Sequence, residues 1–360
     1  MFPAGNIRGD DEGFMTGEAN AGAGRSFGVG DHSPVFSSPD CDGGTFDLYS
    51  HVTGRPTVMV FACEKSLPEI ARITPDGSVL ESEKVQVVTF VPGPLEHVKK
   101  VRDAAGWPYR TVLDPGREIT TGFQQLSGIQ PPAVYVLDCN QRIAGMVSIS
   151  EIGENLPQWI KHQTQHAAHE HSDEVLNGVA PVLVVPRVLE PQECRWLIDL
   201  WRSGEKSDGK VALGASAATV DGVVKTFKRR EDYVVNDVET EQKIINMVMP
   251  RMAPEVMKIF HFERWRLEAF RIGCYRATDE GFFNVHRDDY NPSVKHRKFA
   301  VTVNLNADEY EGGDLRFPEY GNQLYRPPTG GAIVFSCSML HEVVPVTSGE
   351  RFVLLTFLTE

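Results

Sequence analysis

From residue 266 to its end the chain reads as strand after strand. The segments WRLEAFRIGCY, KFAVTVNLN, DLRFP, QLYRP, AIVFS, EVVPV and RFVLLTFL are short and rich in β-branched and aromatic residues. The turns EYEGGD, PPTGGA and TSGE separate them. Many short strands with this punctuation fold as a sandwich or a closed barrel. The front half is patterned differently. Residues 57–62 (TVMVFA), 85–91 (VQVVTFV) and 133–137 (AVYVL) are continuous apolar runs, as in buried strands. Between them, 95–105 and 118–128 carry helical spacing and close on Gly106 and Gly128. Strands alternating with helices imply βαβ units around a central sheet. Two architectures in 360 residues suit two domains.

The expected organisation is a disordered tail over 1–27, rich in Gly, Ala, Asp and Glu, then an α/β domain over 28–165. A linker spans 166–178, and a strand-rich domain spans 179–360. Residues 156–161 read as a closing helix that runs into HQTQHAAHEHSDE, with the break near residue 172. His162, His166, His169 and His171 read as a solvated linker helix, not a second metal site. Residues 190–202 form an amphipathic helix with Pro191 near its start, where a missing N–H costs nothing. Residues 239–260 are mostly helical, with interruptions expected around Pro250 and Pro254. The fold class is therefore two-domain α+β.

The formal net charge of −13 argues against nucleic acid as a partner, because such binders carry a basic footprint. Through steering it hints at neutral or basic substrates. No apolar run is long enough for a bilayer, and MFPAGNIRGDDEGFM lacks the apolar stretch of a signal peptide. The six cysteines form no CxxC pair and no metal-knuckle spacing, so a reduced, cytoplasmic protein is expected. Cys63, followed by Glu64, reads as a buried small hydrophobe.

The chemistry concentrates near the end. His286 and Asp288 stand two apart, so in extended backbone both point to one side. His341, between AIVFSCSML and EVVPV, is the best third ligand. Two imidazoles and one carboxylate can occupy one face of Fe(II), leaving positions for exchangeable ligands. Arg351 lies ten residues beyond His341, past the expected TSGE turn, and so is placed on the neighbouring antiparallel strand. Arg351, Val353, Leu355 and Phe357 share one face of that strand. A buried arginine there needs an anionic partner, and its planar fork suits a carboxylate. Tyr275 precedes the HRD turn and could donate its hydroxyl to a co-substrate. Arg271, four residues earlier, would share its face and is a candidate substrate contact.

Tyr275-Arg276, Gly281-Phe282-Phe283, His286-Arg287-Asp288, the GGDLRFP segment, His341 and Arg351 together resemble the prolyl-4-hydroxylase-like branch of the Fe(II)/2-oxoglutarate dioxygenases. The likeness runs from about residue 180 to the end. It implies a double-stranded β-helix, or jelly roll. It also implies iron on His286, Asp288 and His341, with Arg351 gripping the C5 carboxylate of 2-oxoglutarate and Tyr275 close by. Relatives carry a tyrosine in the strand segment where this chain has Val303-Asn304-Leu305, which leaves Asn304 as a candidate cofactor contact. Asp289 and Arg316 are further candidate substrate contacts. Arg287 and Asp289 stand either at the pocket mouth or in solvent.

The front half resembles the thioredoxin-like fold of the peroxiredoxin/alkyl-hydroperoxide-reductase family, through GDHSPVF, TVMVF and PPAVYVLD. Cys63 comes too early for a peroxidatic cysteine and has no threonine before it. The domain is therefore expected to be redox-silent, with Pro132 in the cis form. Together the resemblances imply a dioxygenase that hydroxylates an unactivated C–H bond of an amino acid, peptidyl side chain or small metabolite. Its co-substrates would be 2-oxoglutarate and O2, its products would include succinate and CO2, and ascorbate is allowed as a reductant. An intact Asp288 favours hydroxylation. A homodimer is one assembly the resemblance allows. The competing readings are a thiol peroxidase acting through the front domain and a non-catalytic iron or 2-oxoglutarate sensor.

Overall fold

The computed structural model describes residues 15–16, 27–52, 54–73, 85–167, 178–208, 227–290 and 292–360. The chain divides into two units, 26–173 and 174–360, the latter together with 1–25. Most of the tail expected over 1–27 lies outside the described residues, as do His169 and His171. Of that tail, Met15–Thr16 pairs with Trp265 and Arg264.

The first unit is built on five strands: β1 (Thr57–Phe61), β2 (Gln86–Val91), β3 (Arg110–Leu113), β4 (Ala133–Leu137) and β5 (Ile143–Ser148). Their order is β3-β2-β1-β4-β5, parallel on the β3 side and antiparallel from β4 onward. Every residue of β1 and β4 is buried, which explains their unbroken apolar runs. Its longer helices are α1 (Leu67–Ile73), α2 (Leu95–Ala105), α3 (Glu118–Ser127) and α4 (Leu156–Ala167). Gly106 and Gly128 terminate α2 and α3 in the left-handed conformation, at φ 60° and 75°. The Pro131–Pro132 bond is cis, as expected. Helix α4 runs well past the 156–161 expected for it, because Leu156, Ile160, Thr164 and Ala167 are all buried.

The second unit has a large and a small antiparallel sheet. Its elements are β6 (Leu183–Val185), α5 (Pro191–Ser203), β7 (Glu231–Val234), α6 (Val238–Phe260), β8 (Arg264–Leu267) and β9 (Arg271–Arg276). They continue with β10 (Phe283–His286), β11 (Arg297–Asn304), β12 (Tyr310–Gly312), β13 (Leu315–Arg316) and β14 (Leu324–Tyr325). Last come β15 (Ala332–Ser336), β16 (His341–Val343) and β17 (Val346–Thr359). The large sheet runs β7-β9-β17-β11-β15-β6, and β8 and β12 also pair with β17. The small sheet runs β10-β16-β13-β14. Two facing sheets with this strand order are consistent with the jelly roll.

Three sequence expectations change. Helix α6 is continuous through Pro250 and Pro254. Burial of Ile244, Met247, Val248, Met252 and Val256 offsets the backbone hydrogen bonds that the two prolines forgo. WRLEAFRIGCY is two strands, because Glu268 leaves the ladder and its N–H donates to the Phe357 carbonyl. TSGE is not a turn. It lies within β17, where Tyr310 pairs with Gly349, and Gly349 takes φ 74° beside a register shift.

Candidate active site

The large sheet presents one charged inner face. Tyr275 pairs with Arg351, Gly273 with Val353 and Arg271 with Leu355. On the other side of β17, Asn304 pairs with Val353 and Thr302 with Leu355. Directly paired residues project to the same side of a sheet. The face shared by Arg351, Val353, Leu355 and Phe357 therefore also carries Arg271 and Tyr275. The small sheet supplies the other wall, where β10 and β16 bring His286 directly opposite His341. Arg351 is thus not on the hydrogen-bonded neighbour of the His341 strand, as its spacing had led us to expect. Strand β17 crosses into the opposite sheet, so the arginine faces the histidines over a cavity instead of standing beside them. That cavity measures about 400 Å³ and is lined by Arg271, Tyr275, His286, Asp288, His341 and Arg351.

The polarity of the cavity follows from chain direction. Strand β9 runs into the turn at 277–282 and β10 returns from it. Gly281 makes that return tight, since a Cβ there would stand 2.7 Å from the Arg276 nitrogen. Arg271, at the start of β9, and His286, at the end of β10, therefore occupy one end. Tyr275 and Arg351 occupy the other.

His286, Asp288 and His341 offer donor atoms that all lie within 4.8 Å of one another, the only such cluster among the described residues. The Nδ1 of His286 meets the Asn284 carbonyl at 2.7 Å, and that of His341 meets the Met339 carbonyl at 3.0 Å. A carbonyl can only accept, so each Nδ1 carries the proton and each Nε2 presents a lone pair. Both Nε2 atoms stand 3.4 Å from a carboxylate oxygen of Asp288. Two lone pairs and a carboxylate converging in a buried place repel one another unless a cation sits between them. Burial pushes the His341 imidazole down to about 4, which keeps it neutral. The donor set fits a divalent ion such as Fe(II).

Arg351 is 2% exposed. Its Nη2 donates a long bond, 3.5 Å, to Asn304 Oδ1, and its Nε has no hydrogen-bond partner among the described residues. A guanidinium so buried and so poorly matched fits an incoming carboxylate. It lies 5.2 Å from the centre of the Tyr275 ring. The Tyr275 hydroxyl accepts from Arg230 Nη1 at 3.1 Å, which leaves its own proton to donate into the cavity. Arg230 is itself clamped by Asp232 at 2.5 and 2.8 Å. Gly273 leaves room for that pair, since a Cβ would stand 2.8 Å from Arg230 Cδ and 3.1 Å from Asp232 Oδ1.

The remaining expected site residues separate. Arg271 lines the cavity. Asn304 is buried, donating to the Pro327 carbonyl at 2.8 Å while its oxygen meets Arg351. Asp289 is neither at the mouth nor in solvent: it is buried and accepts from Ser338 Oγ at 2.6 Å and Lys295 Nζ at 3.0 Å. Arg316 pairs with Glu342 at 2.7 Å, and neither Asp289 nor Arg316 lines the cavity. Arg287 reaches the cavity edge, paired with Glu319. Sequence reading missed Lys228, Arg230 and Asp232. The alternation Lys228-x-Arg230-x-Asp232, which puts three charges on one face of extended chain, was the available signal. The acidic balance of the chain is not shared by the cavity. Six cationic side chains line the cavity against the single carboxylate of Asp288.

In the first unit, Cys63 is half-buried, not the buried apolar residue expected. Burial pushes its thiol up, but the Ser66 hydroxyl, 3.4 Å from Sγ, and nearby backbone N–H groups bring it below the usual value. Burial, with Glu193 and Glu350 nearby adding to it, pushes Cys194 and Cys274 up to about 12.

Comparison with known proteins agrees with this division. Residues 270–359 match the family model of the 2OG-Fe(II) oxygenase superfamily, and residues 29–146 match that of the AhpC/TSA family. A PKHD-type hydroxylase from Synechococcus sp. is 25% identical over 182 residues, covering 49% of this chain and 77% of that protein. One from Thioalkalivibrio sulfidiphilus is 28% identical over 178 residues, covering 47% and 74%. Among solved structures, a prolyl-4-hydroxylase from Pseudomonas putida aligns at 18% identity and TM-score 0.38, covering 51% of this chain and 94% of that one. Among the described residues, no helix is long and apolar enough to cross a membrane. The chain therefore joins an AhpC/TSA-family domain to a 2OG-Fe(II) oxygenase domain, and it is an enzyme of the 2-oxoglutarate-dependent oxygenases.

Proposed function

We propose that the second unit hydroxylates an unactivated C–H bond of an amino acid, a peptidyl side chain or a small metabolite, with release of succinate and CO2. His286, Asp288 and His341 would hold Fe(II), and Arg351 with Tyr275 would hold 2-oxoglutarate. The observation that carries this reading is the placement of Arg351: buried, unmatched at Nε, and facing the His286–Asp288–His341 cluster across one cavity. When bound, the iron supplies the redox chemistry that couples decarboxylation of 2-oxoglutarate to oxidation of the substrate by O2.

The chain's own residues do the rest. The two Nδ1–H bonds to backbone carbonyls fix both imidazole planes, so each Nε2 lone pair is aimed before any ion arrives. Arg351 and the Tyr275 hydroxyl anchor one end of the co-substrate, directing its other end toward the histidines. Phe283 stacks on His286 at 3.6 Å between ring centres, and Phe335 meets His341 at 4.7 Å, so apolar rings exclude water from the donor set.

The test is anaerobic titration of the Fe(II)-loaded, full-length protein with 2-oxoglutarate. A visible charge-transfer band should appear in wild type, disappear in His286→Ala and require far more 2-oxoglutarate in Arg351→Met. No band in wild type overturns the reading. Cys63→Ser should leave succinate output unchanged, and loss of that output would move the activity to the first unit.

A further inference from the structure

The cations of the cavity are not all matched by the protein's own carboxylates. Asp232 takes Arg230 on both oxygens and Lys228 at 3.4 Å. Glu268 takes Arg297 at 2.6 and 2.7 Å and His296 at 3.1 Å. Glu319 takes Arg287. Arg351 is reserved for the co-substrate. That leaves Arg271, which lines the cavity, is partly buried and whose guanidinium forms no hydrogen bond or ion pair among the described residues. Burial pushes its pKa below the usual guanidinium value. Glu268 opposes that push, while Arg297 and Arg230 add to it. A cation held among cations, beside a carboxylate already occupied, carries a desolvation cost that only an arriving anion offsets.

Its position matters as much as its isolation. Arg271 stands at the histidine end of the cavity, four residues along β9 from Tyr275, with Gly273 and the Arg230–Asp232 pair between them. An anion on Arg271 would therefore sit beside the metal cluster and away from the pocket of Arg351.

We propose that Arg271 docks a carboxylate of the substrate, so that the enzyme oxidises a small carboxylic acid held by this one planar fork. The inference rests on the oxygenase reading above and deepens it. A single unmatched guanidinium fits one bidentate carboxylate. A phosphate dianion would call for a second free cation, and Lys228, Arg230 and Arg297 are each already paired with Asp232 or Glu268. The interior of a peptide offers no carboxylate of its own backbone to this site, and the cavity of about 400 Å³ is on the scale of small-molecule sites.

The test uses full-length protein loaded with Mn(II) and saturated with 2-oxoglutarate, so that binding is read without turnover. Isothermal titration compares matched pairs: benzoate with benzamide, hexanoate with hexanamide, and N-acetyl amino acids with their primary amides. Each bound carboxylate should be about tenfold tighter than its amide, the scale of losing charge-assisted hydrogen bonds. Arg271→Met should erase that preference and Arg271→Lys should keep part of it. Both variants should hold 2-oxoglutarate within about twofold of wild type. Equal binding of amides, a preference that survives in Arg271→Met, displacement of the carboxylates by 2-oxoglutarate, or no binding across the panel each overturns the proposal. Failure of wild-type protein to bind 2-oxoglutarate at all sinks the oxygenase reading instead, and this inference with it.

Discussion

Arg351 illustrates how a residue can be bad for the fold and suited to the proposed site. Its guanidinium is buried, weakly bonded to Asn304 and unmatched at Nε. Replacing it with methionine removes an uncompensated buried charge. The metal-free, co-substrate-free protein should then gain about 1–3 kcal/mol, read as a higher urea midpoint at unchanged slope. The same change should cost 2-oxoglutarate about 2–5 kcal/mol of binding, a loss of roughly thirtyfold or more in Kd. A drop in apo stability would mean that the guanidinium is already satisfied. Gly273 makes the complementary point. Gly273→Ala puts a methyl against Arg230 Cδ and Asp232 Oδ1, and so disturbs the clamp that orients the Tyr275 hydroxyl. We expect a destabilisation of about 1–3 kcal/mol, the scale of overpacking, together with a raised KM for 2-oxoglutarate. A KM unchanged in the variant would remove Arg230 from the binding apparatus.

At the scale of elements, legibility depended on whether a signal was local. The shared face of residues 351–357 and the apolar runs of β1 and β4 are local patterns, and each is borne out by register or burial. Pairing partners are not local. Nothing near His341 reveals that the chain leaves the small sheet at residues 344–345 and that TSGE extends β17 against β12. Tertiary burial likewise overrides the two prolines of α6. The helix start at residue 190 was legible, but its most consequential contact was not. The Glu190 carboxylate bonds Arg187 at 2.8 Å and Arg251 at 2.7 Å, tying the start of α5 to the middle of α6, where Arg251 is 3% exposed. Glu190→Ala should therefore cost about 2 kcal/mol. That is below the range for fully buried pairs, because Glu190 keeps about a third of its side chain in water. Urea unfolding followed through Trp196 and Trp201 of α5 measures it, and a loss within error would make the link a surface pair.

For the whole molecule, the separation of charge governs how the protein responds to acid. The chain carries a net charge of −13 while its cavity is lined by cations. The carboxylates that neutralise those cations are thus stability elements of the second unit. Burial would raise Asp232 and Glu268, but their arginine partners hold both below their ordinary values of 3.8 and 4.5. Carboxyls whose folded pKa is depressed contribute stability that is fully present above the unfolded pKa and lost as pH falls through the folded one. In the first unit, Asp40, held down by Arg110, is the corresponding buried carboxylate. The second unit has more such groups, so its urea midpoint should hold steady from pH 7 to about 5 and decline below about 4. The decline should be steeper than that of the first unit. Hydrogen exchange resolved by peptide, comparing 85–167 with 264–360 across that range, separates the two. Asp232→Asn should flatten the acid limb of the second unit alone, at the expense of stability near neutrality. An acid limb unaltered by that substitution would show that the Arg230–Asp232 clamp does not set the acid response of the oxygenase domain.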